Sequence, residues 1–80
     1  MVTLYEFNIK NLNGRAQIAW QGEHIATRTE GDQRILLFSL PDFYAEVFYD
    51  TINNEIIDCR GFTALHLLSP YIEIGPENPE

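Results

Sequence analysis

Short runs rich in β-branched and aromatic residues alternate along the chain with turn-forming residues. The runs are Val2 to Lys10, Arg15 to Gln21, His24 to Glu30, Gln33 to Leu40, Phe43 to Asp50 and Glu55 to Phe62. Between them lie Asn13-Gly14, Gly22-Glu23, Gly31-Asp32, Pro41-Asp42 and the stretch Asp50 to Asn54. Asn-Gly suits a type I′ hairpin turn and Gly before a polar residue suits type II′, because each supplies the positive φ that a two-residue loop requires. The pattern predicts six strands in an antiparallel β-meander.

Turn length fixes which residues face each other, so the prediction carries a register. Asn13-Gly14 sets Phe7 opposite Trp20 and Ile9 opposite Ile18. Gly22-Glu23 then sets Trp20 opposite Ile25, and Gly31-Asp32 sets Ile25 opposite Phe38 and Thr27 opposite Leu36. A tight Pro41-Asp42 turn pairs Phe38 with Ala45 and Leu36 with Val47, although Pro suits a type I turn, whose twist fits a hairpin poorly. A loop of Thr51, Ile52 and Asn53, with Asn53 left-handed, pairs Val47 with Ile57 and Ala45 with Cys59. One face comes out apolar: Tyr5, Phe7, Ile9, Ala16, Ile18, Trp20, Ile25, Leu36, Phe38, Leu40, Phe43, Ala45, Val47, Ile57 and Cys59.

After Phe62 the period changes. Thr63 can cap a helix in which Leu65, Leu68 and Ile72 recur at helical spacing, with a kink or restart at Pro70. The expected fold class is α+β, a six-stranded antiparallel meander with one C-terminal helix over residues 1–74 and a disordered tail at 75–80. A curled or closed β-barrel with the helix at one end is the alternative.

Charge and composition narrow the partners. The 80 residues carry 12 acidic and 5 basic side chains, a formal charge of -7, which repels phosphate backbones and anionic membranes. No nucleic acid and no membrane partner is expected. A single cysteine forbids an internal disulfide, and no basic-then-apolar leader or membrane-length apolar run occurs, so the expected setting is cytoplasmic. At this length a domain removes only about 60% of its unfolded surface from water, so association can add stability.

Candidate chemistry is sparse. Cys59 would need His24 or His66 beside it to act as a nucleophile, and the register instead buries it among Ala45 and Ile57. No paired cysteines and no His-x3-His spacing point to a metal, and no glycine-rich loop points to a nucleotide, so no cofactor is expected. Glu46 and Asp58 fall opposite each other on the outer face, with Tyr44 opposite Arg60. Two close carboxylates can share a proton as acid and base, which makes this pair the catalytic alternative.

The outer face supplies the leading expectation. On the last three strands it carries Ile35, Leu37, Tyr44, Phe48, Ile56 and Phe62, where a solvated antiparallel face would be polar. One short helix cannot shield both faces of a six-stranded sheet. These six residues are therefore the expected interface of a small interaction module, a homodimer or a complex with another protein. An acidic inhibitor or immunity-type protein that meets a basic target is the remaining alternative.

Overall fold

Two helices stand where alternation suggested the first two strands. In the computed structural model, which describes residues 2–63, 68, 70 and 71, α1 spans Leu4–Asn8 and α2 spans Leu12–Ala19. Both begin at side-chain caps. Thr3 Oγ1 accepts from the Glu6 N–H at 3.1 Å while the Thr3 N–H donates to Glu6 Oε1 at 3.0 Å, a reciprocal capping box. Asn11 Oδ1 accepts from the Gly14 N–H at 2.8 Å. Asn13-Gly14 thus lies in the first turn of a helix and makes no hairpin.

Four strands follow: β1 (Glu23–Glu30), β2 (Gln33–Ser39), β3 (Tyr44–Asp50) and β4 (Glu55–Phe62). They form one antiparallel meander in the order β1-β2-β3-β4. The fold is α+β, but among the described residues the six-stranded sheet is replaced by four strands and two N-terminal helices. The expected C-terminal helix and the tail at 75–80 lie almost wholly outside the described residues.

The turn chemistry sets the first two pairings as expected. Thr27 faces Leu36, Leu36 faces Val47 and Phe38 faces Ala45. Gly31 takes a φ of +58° in its turn, and the Leu40 N–H donates to the Phe43 carbonyl at 2.8 Å, so Pro41-Asp42 closes a tight hairpin. Two details differ. Phe38 faces His24 because the ladder shifts between His24 and Ala26, leaving Ile25 in a bulge. The last loop is four residues, Thr51 to Asn54, with Asn54 at φ 56° in the left-handed place expected of Asn53. The Asp50 carboxylate braces this loop, accepting from the Ile52 N–H at 2.9 Å and the Asn53 side-chain amide at 2.7 Å; these bonds, the Asn53 one foremost, hold its pKa below the usual aspartate value. The β3–β4 pairing moves accordingly, with Val47 facing Cys59, Ala45 facing Gly61 and a further shift after Phe48.

The core lies between the helices and one sheet face. Phe7, Ile18 and Ala19 pack with Phe38, Phe43, Ala45, Val47 and Cys59, and the Phe7 and Phe43 rings meet at 5.1 Å. Helix contacts concentrate on β3 and β4. Gly61 is what lets α1 sit so close: a Cβ there would stand 2.6 Å from Leu4 Cδ1 and 2.9 Å from Phe7 Cε1. Residues expected inward on two lost strands now face water, with Tyr5 75%, Ile9 65% and Trp20 48% exposed. Among the described residues no helix is long and apolar enough to cross a membrane.

Candidate functional site

The six expected interface residues do not form an exposed patch. Ile35, Leu37, Phe48 and Phe62 are buried, and Tyr44 is half-buried, stacked on Phe62 at 5.6 Å. Ile56 falls opposite Tyr49 across the β3–β4 irregularity and packs against the helix-side core. The outer face is thus largely withdrawn from solvent within the chain itself.

Glu46 sits in the middle of that face, 8% exposed. A carboxylate so placed needs both charge balance and hydrogen bonds. It has both: the Tyr71 hydroxyl donates to Glu46 Oε2 at 2.6 Å, and Arg28 Nη2 lies 3.4 Å from the same oxygen. Arg28 also reaches Glu30 at 2.9 Å and lays its guanidinium 5.3 Å from the Tyr71 ring centre. Burial, helped by the bond to Glu46, pushes the Tyr71 phenol well above its usual range, so it stays protonated and can keep donating. The adjoining cleft of about 220 Å³, lined by Arg28, Glu46, Arg60, Gly61, Phe62 and Pro70, is smaller than the roughly 300–1,000 Å³ of typical ligand sites.

The Glu46/Asp58 pair is not assembled. The changed loop sets Glu46 opposite Arg60 and Asp58 opposite Phe48, and Tyr44 opposite Phe62. Asp58 instead accepts from the Cys59 N–H at 2.8 Å and lies 3.8 Å from Arg60 and 4.0 Å from Arg15. Two carboxylates that each have their own cationic neighbours have no reason to share a proton.

Cys59 is 1% exposed, and burial raises its thiol pKa to about 11 despite the Arg15 charge. Arg15 itself is tied to backbone, donating to the Cys59 carbonyl at 2.8 Å and the Lys10 carbonyl at 2.7 Å. His24 lies on β1 at the opposite edge of the sheet, 2.7 Å from Thr27 Oγ1. His66 lies outside the described residues. Among the described residues no three His, Cys, Asp or Glu side chains converge as metal ligands.

A different place carries exposed apolar surface. Trp20, just past α2, meets the buried Phe38 ring edge-on at 5.1 Å, and His24 tilts against Phe38 at 5.5 Å. Trp20 stays 48% exposed and Ile25, in the β1 bulge, 45%. Leu40, just past β2, lines with Val2, Gln21 and Pro41 a mainly apolar cleft of about 310 Å³. The alternation of residues 15–21 disguised this site by turning Trp20 inward. The Asn11 cap was the legible signal for a helix that releases it. No family model, no curated protein and no solved structure matches this chain.

Proposed function

We propose that this chain is a small acidic protein-binding module that meets its partner with the surface around Trp20, at the end of the sheet where β1 begins. The observation that carries this reading is the exposure of Trp20 on a fixed base: its ring is held at right angles to Phe38, 5.1 Å away, while about half of the residue is open to solvent. Tryptophan is enriched among the residues that dominate binding energy at protein interfaces, because it offers large contact area at small cost in side-chain entropy. Ile25, freed from the ladder by the bulge near the start of β1, is a second exposed apolar residue at this end of the sheet. A cytoplasmic setting belongs to this reading, since the lone cysteine is free and buried.

Self-association through Ile35, Leu37, Tyr44, Phe48, Ile56 and Phe62 is the weaker reading, because four of these six already serve the protomer's interior. Catalysis by Glu46 and Asp58 is weaker still, given their separate partners. Photo-crosslinking tests the proposal. A benzophenone side chain at Ile25 is expected to give a discrete adduct in the cells that carry the protein. The same group at Ile52, 67% exposed in the far hairpin loop, is expected to give none. Adducts from neither position, or equally from both, would overturn the reading.

A further inference from the structure

On the sheet face turned away from the helices, we infer that the cleft between Glu46 and Arg60 binds a small zwitterion of the amino-acid class, its ammonium group on Glu46 Oε1 and its carboxylate on the Arg60 guanidinium. Arg28, Glu46, Arg60, Gly61, Phe62 and Pro70 line this one cleft of about 220 Å³. Glu46 and Arg60 face each other directly across β3 and β4, yet among the described residues no ion pair joins them. Arg60 is drawn along its strand instead, with Nε 3.8 Å from Asp58 Oδ2 and the guanidinium 4.5 Å from the Phe48 ring centre. Opposite charges set across a ladder and left unbridged border a gap with an acceptor on one side and a fork of donors on the other. The site is independent of the Trp20 surface, which packs on Phe38 of the helix-side core.

The unmet hydrogen-bonding capacity of this wall selects the occupant. Both bonds that Glu46 receives, from the Tyr71 hydroxyl and from Arg28, end on Oε2, and Oε1 has no partner among the described residues. The Glu46 side chain is only 10% exposed, and an unfilled acceptor on a carboxylate so buried is costly. Arg28 Nε, on the same wall, is the one buried side-chain polar atom without a partner among the described residues. The Arg28 charge is answered by Glu30 and Glu46, whereas Arg60 meets Asp58 through Nε alone and leaves its two Nη groups without a partner among the described residues. A simple anion on Arg60 would face the Glu46 carboxylate, and a simple cation on Glu46 would face two guanidinium groups. A molecule that carries both charges meets both needs, and a partly enclosed site strengthens each contact relative to open water. At about 30 Å³ for each water-sized group the cleft holds roughly seven non-hydrogen atoms, the size of a small amino acid. Phe62 and Pro70 offer an apolar wall to a short aliphatic side chain.

The probe is L-alanine, titrated into the full isotope-labelled chain and followed by the nuclear magnetic resonance shifts of the Arg60 and Gly61 amides. Acetate and methylamine, each carrying one of the two charges, are titrated separately. The expected result is a saturable shift at this cleft, with L-alanine bound at least about tenfold more tightly than either single-charge probe. Arg60→Gln, at a side chain 62% exposed, should weaken binding at least about tenfold, whereas Arg34→Gln, the same change of net charge at an exposed position of β2, should leave it within about twofold. Glu46→Gln keeps an acceptor for Tyr71 and removes the charge that holds the ammonium group, so it should also weaken L-alanine at least about tenfold. Circular dichroism establishes that each variant is folded, and Arg60→Gln decides the case if Glu46→Gln does not fold. The absence of a saturable shift at Arg60 and Gly61 would overturn the site. So would acetate or methylamine bound as tightly as L-alanine, or equal weakening by Arg60→Gln and Arg34→Gln.

Discussion

Gly61→Ala tests the seat of α1 on the sheet. The added methyl would lie 2.6 Å from Leu4 Cδ1, 2.9 Å from Phe7 Cε1 and 3.0 Å from Phe7 Cδ1, all inside normal contact distance. Leu4 is half-buried and its methyl can swing away, but Phe7 is 0% exposed and wedged against Phe43, so its ring has nowhere to go. Overpacking a closed site costs about 1–3 kcal/mol, while exchanging glycine for alanine inside a strand returns about 0.5–1 kcal/mol of backbone entropy. The net expectation is a loss of about 0–2.5 kcal/mol, centred near 1 kcal/mol, which for a domain of this size lowers Tm by roughly 4–8 °C at that centre. Urea unfolding followed by circular dichroism and Trp20 emission measures it, with the m-value unchanged. Leu4→Ala should cost less in the Gly61→Ala background than alone, because it removes the nearest clashing atom. A coupling of at least about 0.5 kcal/mol between the two sites is expected. A stabilising Gly61→Ala, or strictly additive losses, would refute the close packing of α1 over β4.

Three further outcomes follow from the same geometry. Thr3→Ala removes the half of the capping box that the Thr3 hydroxyl accepts, leaving the residue-3 N–H bond to Glu6, and should cost about 0.5–2 kcal/mol in thermal or urea unfolding, with Glu6→Ala, which removes the other half, showing a smaller loss. Phe48→Glu should unfold the protomer, since it places a carboxylate at a site 6% exposed; near-ultraviolet circular dichroism reads this, and a folded variant would show that the outer face opens readily. Cys59 should resist alkylation at pH 8 until the chain is unfolded. Because its folded pKa of about 11 stands above the ordinary thiol value of 9.0, its contribution is complete below about pH 9 and is lost as pH rises toward 11; a Cys59→Ala variant should show a shallower decline there.

Local chemistry determined more of this fold than any single apolar position did. Gly31-Asp32 and Pro41-Asp42 bring their flanking strands into register at short range, so Thr27, Leu36 and Val47 fall into one row, and Phe38 and Ala45 into the next, by the turns alone. The α+β class and the burial of Phe7, Phe38, Phe43, Ala45, Val47 and Cys59 were likewise legible. The first 21 residues were ambiguous because runs of about eight residues fit a period of two and a period of 3.6 almost equally well. Thr3 with Glu6, and Asn11 with Gly14, favoured helices, but Asn13-Gly14 offered an equally local hairpin signal.

Tertiary packing decided between them. With helices, Phe7 fills the space left by the missing side chain of Gly61, and the small Ala16 and Ala19 are buried; both gains depend on strands β3 and β4, distant in the chain, and have no local signature. The same decision turned Trp20 from core to surface and so created the proposed binding site. A one-residue difference in the last loop, joined to the irregularity after Phe48, separated Glu46 from Asp58, and a contact 25 positions along the chain, Tyr71 to Glu46, lies on the face that patterning had left open. Turn residues act on their neighbours and can be read in order along the chain, whereas a face becomes surface or interior only when distant segments meet it.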